Sequence, residues 1–105
     1  MQILINSDKN IAMHAALSTW IEAEHHRVLD RFDSHLTRIE VFLTDENPDK
    51  SDPHDKRCVL ESWPKNPRSL TATDDSSDIK TAVSGAAKKL QRLLETTFER
   101  IGYKR

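Results

Sequence analysis

Asp78 to Ile101 constrains this chain more than any other stretch. Ile79, Val83, Ala86, Leu90, Leu93, Leu94 and Ile101 recur along it at three- and four-residue spacings. That is the period of an amphipathic helix with one buried stripe, and no strand pattern fits it. Asp78 stands where its carboxylate can accept from the unpaired N–H groups of a helix start, and Gly102 suits a helix end. Off the stripe lie Lys80, Lys88, Lys89, Arg92 and Arg100, with Lys104 and Arg105 behind them. A helix that gives one face to a core and another to cations is suited to an anionic partner.

The net charge is only −1, so its distribution carries the argument. Residues 79–105 hold seven Lys/Arg against Glu95 and Glu99 and total +5, whereas residues 12–35 total −2 and residues 36–78 total −4. Positive potential therefore gathers on one helix. At 105 residues the chain is expected to form a single domain, 1–105, with a modest core that needs no staples. Its 36% hydrophobic and 31% charged residues place it with soluble globular proteins rather than disordered ones. A lone cysteine, Cys58, excludes an intramolecular disulfide and the cysteine-rich zinc frameworks. No apolar run approaches membrane-spanning length, and Met1 to Asn6 lacks the charged region and apolar run of a signal peptide. A cytoplasmic protein without a membrane partner is expected.

Gln2 to Asn6 is a short β run, with Ile3 and Ile5 facing one side and Leu4 the other. From about Ala12 to Phe32 the residues Met13, Leu17, Ile21, Val28 and Phe32 recur with helical spacing, Trp20 lying at the edge of the stripe. Leu36 to Thr44 alternates Ile39, Val41 and Leu43 with Arg38, Glu40, Phe42 and Thr44, the pattern of a half-buried strand. Asp45 to Asp55, with Pro48 and Pro53, reads as a polar loop. Lys56 to Trp63 is a second strand of this kind, with Cys58 and Leu60 on one face and Val59 and Trp63 on the other. Pro64 to Pro67 is a turn, Arg68 to Thr73 a third short strand, and Asp74 to Ser77 an acidic loop before the last helix. The order β-α-β-β-β-α, with short loops between the last three strands, predicts an α+β fold. Its four-stranded sheet has antiparallel neighbours among those strands, and both helices pack on one face.

These segments, in this order, resemble the short ribosome-hibernation factors, the ribosome-associated inhibitor and hibernation-promoting family. The resemblance runs through nearly the whole chain. It rests on Gln2-Ile3-Leu4-Ile5, Leu29-Asp30-Arg31-Phe32, Ile39-Glu40-Val41-Phe42-Leu43, Leu70-Thr71-Ala72-Thr73 and Asp78-Ile79-Lys80-Thr81-Ala82-Val83. The most specific piece is Lys88-Lys89-Leu90-Gln91-Arg92-Leu93-Leu94, like the family's closing helix with its Lys-Leu-x-Arg unit. The resemblance implies a fold like a double-stranded-RNA-binding domain with an added first strand. It implies a non-enzymatic regulator of translation under stress or in stationary phase, bound to small-subunit rRNA in the tRNA and mRNA channel, with no cofactor and no small-molecule substrate. Carried over by position, the rRNA-binding residues are Arg27, Lys89 and Arg92, with Lys88 as an addition. Their chemistry would be phosphate neutralisation with counterion release, reading RNA shape and backbone rather than base edges. The chain departs from the family at Ser18, Glu24, Glu95, Thr97 and Glu99, where members often carry basic residues. A divergent member acting as a protein-interaction module is the alternative. Long members add a second domain that pairs ribosomes. Without it, any pairing is expected to come from altering the ribosome itself.

Other residues invite chemistry and are read more simply. Neighbouring His25 and His26 point about 100° apart on a helix and do not chelate one ion together. His25 is expected at the edge of the apolar stripe and His26 outside it; His14 and His35 add to the count of histidines without changing that reading, and His54 and Cys58 flank the loop-to-strand junction without enough partners for a metal. Cys58 is expected as a small core residue. The acidic run Asp45 to Asp55 lacks the central glycine and closing glutamate of a calcium loop. Trp63 is expected to pack, against Phe42 or over the open sheet face, rather than to stack on a base. No Gly-rich phosphate loop and no Ser-His-Asp signature is present, so catalysis is not expected.

Overall fold

A computed structural model describes residues 1–46, 55–64 and 69–100, apart from the side chains of Pro64, Glu99 and Arg100. Strand β1 (Gln2–Ser7) leads into helix α1 (Ala15–Leu29) and a 3-10 helix (Asp30–His35). Strands β2 (Leu36–Asp45), β3 (Lys56–Pro64) and β4 (Leu70–Ser76) follow, and helix α2 (Ile79–Arg100) ends the described chain. The sheet order is β1-β2-β3-β4. β1 runs parallel to β2, which the α1 crossover permits, and β2, β3 and β4 are antiparallel.

The predicted alternation is met in β2, where Ile39, Val41 and Leu43 are buried, and in β3, where Cys58 and Leu60 are buried. These side chains share one core with Ile21, Leu29 and Phe32 from the α1 side and Val83, Leu90 and Leu94 from α2. Both helices therefore cover the same sheet face. Ala82, Ala86 and Ala87 are fully buried on α2. Their small size lets the helix axis approach the sheet closely, which a stripe of larger residues would prevent.

The first helix is shorter than the periodicity predicts. Its start is set by His14, whose Nδ1 accepts from the Leu17 N–H at 3.2 Å, so Ala12 and Met13 lie ahead of it. After Leu29 the backbone tightens into the 3-10 helix, which still delivers Phe32 to the core. Strand β4 runs past its expected end, pairing with β3 through Ser76, and there Arg57, opposite Asp75, bonds that carboxylate with Nε to Oδ1 at 2.8 Å. Asp74 and Asp75 are thus strand residues, not loop residues. Asp78 caps α2 as expected, Oδ2 accepting from the Thr81 N–H at 3.2 Å. Along α2 the buried stripe ends differently: Leu93 is 40% exposed and Phe98 is buried. Leu93 lies on the flank away from α1, whereas Phe98 meets Phe32 and His35, with ring centroids 6.0 and 4.7 Å away. The expected residues Ile101 and Gly102, and the centre of the loop at 47–54, fall outside the described residues.

Candidate nucleic-acid interface

The outer surface of α2 is fixed by what its flanks touch. On one flank Ser84 Oγ donates to Glu24 Oε2 of α1 at 2.6 Å, Gln91 Nε2 donates to the Val28 carbonyl at 3.3 Å, and Glu95 pairs with Arg31 at 3.3 Å. On the other flank Lys89 Nζ donates to the Thr73 carbonyl at 3.0 Å and to Asp74 Oδ1 at 2.9 Å on β4. Between the two flanks run Lys88 and Arg92, four residues apart and so neighbours on one ridge. Both are exposed. Among the described residues neither makes an ion pair or a side-chain hydrogen bond.

The four cations expected to meet RNA are therefore in different states. Lys88 and Arg92 are available. Lys89, one position on and about 100° around the helix, is turned to the sheet edge. Arg27 is held on α1 by both oxygens of Glu24, Nε to Oε1 at 3.0 Å and Nη2 to Oε2 at 2.9 Å. The bond from Arg27 holds the Glu24 carboxyl below the usual range, against the opposing effect of burial and with help from the Ser84 hydroxyl. Lys80 lies over the Trp20 ring, 5.2 Å from its centroid. The acidic departures Glu24 and Glu95 are not loose charges on the ridge. Glu24 ties α1 to α2 through Ser84 and neutralises Arg27 of α1, and Glu95 ties α2 to the 3-10 helix by pairing with Arg31.

The remaining candidates take structural places. His25 is fully buried, not at the stripe edge, with Nδ1 2.8 Å from the Ile21 carbonyl. Helix α1 buries a wider face than its five-residue stripe implies, with Glu24, His25 and Leu29 buried beside Leu17, Ile21 and Val28. His26 points outward to Asp30. Burial, with a contribution from Asp74, pushes the Cys58 thiol up to about 12, so it stays protonated and packs as a small core group. Trp63 does pack, but its partner is Arg38, whose guanidinium lies 4.1 Å from the ring centroid. Phe42 sits four residues along β2 from Arg38, opposite Val59. Among the described residues no three His, Cys, Asp or Glu gather as metal ligands, and no helix is long and apolar enough to cross a membrane.

Against known families, residues 4–101 match the model of the Sigma 54 modulation protein / S30EA ribosomal protein family. The chain belongs to this family. The resemblance drawn from the closing helix and the strand order is thereby confirmed, and the family is one of ribosome-associated proteins. The S30EA fold is evident in solved structures as well. A ribosomal subunit interface protein from Coxiella burnetii superposes with a TM-score of 0.74 at 18% identity, over 92% of this chain and 97% of that one. The Protein Y N-terminal domain of Thermus thermophilus gives 0.74 at 15% identity, over 92% and 99%. At such identities the likeness is one of fold. No curated protein matches the chain by sequence. Within this S30EA fold the sequence reading missed Ser84 and Asp74, the two residues that decide where Glu24 and Lys89 point. Only Gly85, an odd residue mid-helix, signals the second of them, since a Cβ there would overlap the Asp74 carboxylate.

Proposed function

We propose that this protein is a non-enzymatic, ribosome-associated regulator of translation that binds small-subunit rRNA in the tRNA and mRNA channel under stress or in stationary phase. The observation that carries the reading is the ridge of α2, where Lys88 and Arg92 stand side by side, exposed and unpaired among the described residues. Two adjacent guanidinium and ammonium groups on a straight helix suit consecutive phosphates of an RNA backbone. Arg27 and Lys89 extend this surface on either side by exchanging Glu24 and Asp74 for phosphate. Ribosome binding would also place the protein in the cytoplasm.

One observation favours a second reading, a protein-interaction module on the same fold. Arg27, Arg31 and Lys89 are neutralised from within by Glu24, Glu95 and Asp74. The two readings separate in co-sedimentation with purified small subunits at low and moderate salt. Salt-sensitive binding that a folded Lys88→Glu/Arg92→Glu variant loses supports the rRNA reading. Binding that ignores both salt and the variant supports the protein module.

A further inference from the structure

The sheet face turned away from the helices is covered by no element among the described residues, and the register fixes what it presents. Ile39 and Val41 point to the core, so Glu40 and Phe42 point outward. Glu40 stands directly opposite Glu61 on β3 and beside Leu4 on β1, while Phe42 stands opposite Val59. All five, and Trp63 beyond them, are half-buried. Like charges directly opposite one another on a sheet are destabilising. Among the described residues the cations on this face have their own contacts: Arg57 bonds Asp75 and Glu46, and Arg38 lies over Trp63. Neither Glu40 nor Glu61 makes an ion pair among the described residues.

We propose that this face docks a basic, partly apolar segment of a protein partner. A Lys or Arg of that segment sits between Glu40 and Glu61, and its alternate apolar side chains lie on Leu4, Phe42 and Val59. Charge selects this occupant. A nucleic acid would bring phosphates onto a paired carboxylate surface. A second copy of the chain would oppose its own Glu40 and Glu61 to the first pair. A divalent cation lacks further ligands, since among the described residues no third His, Cys, Asp or Glu joins the pair. The face lies on the other side of the sheet from the α2 ridge, so both can be occupied at once. The proposal does not depend on rRNA binding.

The test is amide chemical-shift mapping of the full chain at physiological salt, titrated with an octapeptide alternating Lys and Leu. Shifts confined to 38–42, 59–63 and the part of β1 around Leu4 are expected. Glu40→Gln/Glu61→Gln should weaken binding at least tenfold while its melting temperature stays equal or rises, because a repulsive pair is removed. Lys88→Glu/Arg92→Glu should bind the peptide like wild type, even if it has lost small subunits. Absent shifts, shifts centred on the helices, or undiminished binding by the Gln variant overturn the proposal. Equal shifts from a single-stranded RNA dodecamer overturn it too, in favour of a nucleic-acid face.

Discussion

Lys89 reaches back from α2 to Asp74 on β4, Nζ 2.9 Å from Oδ1, in a space kept open by Gly85. A cation suited to RNA is thus held by the protein's own sheet edge. The pair is half-exposed, so it contributes no more than about 1 kcal/mol to stability. Asp74→Asn should therefore leave the fold intact, free Lys89 and strengthen low-salt binding to small subunits several-fold in co-sedimentation. Gly85→Ala should act in the same direction by displacing the carboxylate. The gain in helix propensity, about 1 kcal/mol, offsets the contact it disturbs.

Glu24 joins a local partner on α1, Arg27, to a distant one on α2, Ser84, and so ties the two helices together. Removing a buried, charged acceptor with such partners costs about 1–3 kcal/mol, and Glu24→Ala should lower the denaturation midpoint accordingly. Its folded carboxyl is held below the usual range. The stability it contributes is therefore present above the ordinary carboxylate pKa and is lost as pH falls through the folded value. Chemical denaturation of wild type and Glu24→Gln across the acid range should show the wild type losing more.

His25 should govern a second pH dependence, at higher pH. Burial pushes its imidazole below the ordinary 6.5, so the folded chain keeps it neutral where the unfolded chain takes up a proton. Stability should be full above about pH 6.5 and fall as pH drops from there toward the folded value. His25→Leu should flatten that part of a melting-temperature profile.

Phe98 anchors the far end of α2 through Phe32 and His35. Phe98→Ala should cost about 3–5 kcal/mol, read from denaturant titration. Leu93→Ala, at an exposed position, should change stability by under about 1 kcal/mol.

The elements were legible in the sequence wherever burial imposed a period. β2 and β3 show their inward faces two residues apart, and Asp78 with Val83, Leu90 and Leu94 defines α2 from the sequence alone. What was not legible depends on contacts between distant segments. β4 continues through Asp74 and Asp75 by pairing with Cys58 and Arg57, some sixteen to eighteen residues earlier, and the full burial of His25 depends on tertiary packing that the helical period does not carry. The candidate site divides in the same way. Lys88 and Arg92 follow from helical spacing, and the Glu24–Arg27 pair is an i,i+3 contact within reach of the same reasoning, but Lys89 meets Asp74 across fifteen residues and Glu24 meets Ser84 across sixty, so no helical window shows those two contacts.

The most direct test of the α2 ridge is the slope of log affinity for purified small subunits against log salt, for wild type and a folded Lys88→Gln/Arg92→Gln variant. Two phosphate contacts on that ridge predict weaker binding and a slope shallower by about 2 in the variant. An unchanged slope and affinity, or no binding by folded wild-type protein at low salt, would contradict the assignment of this ridge to rRNA.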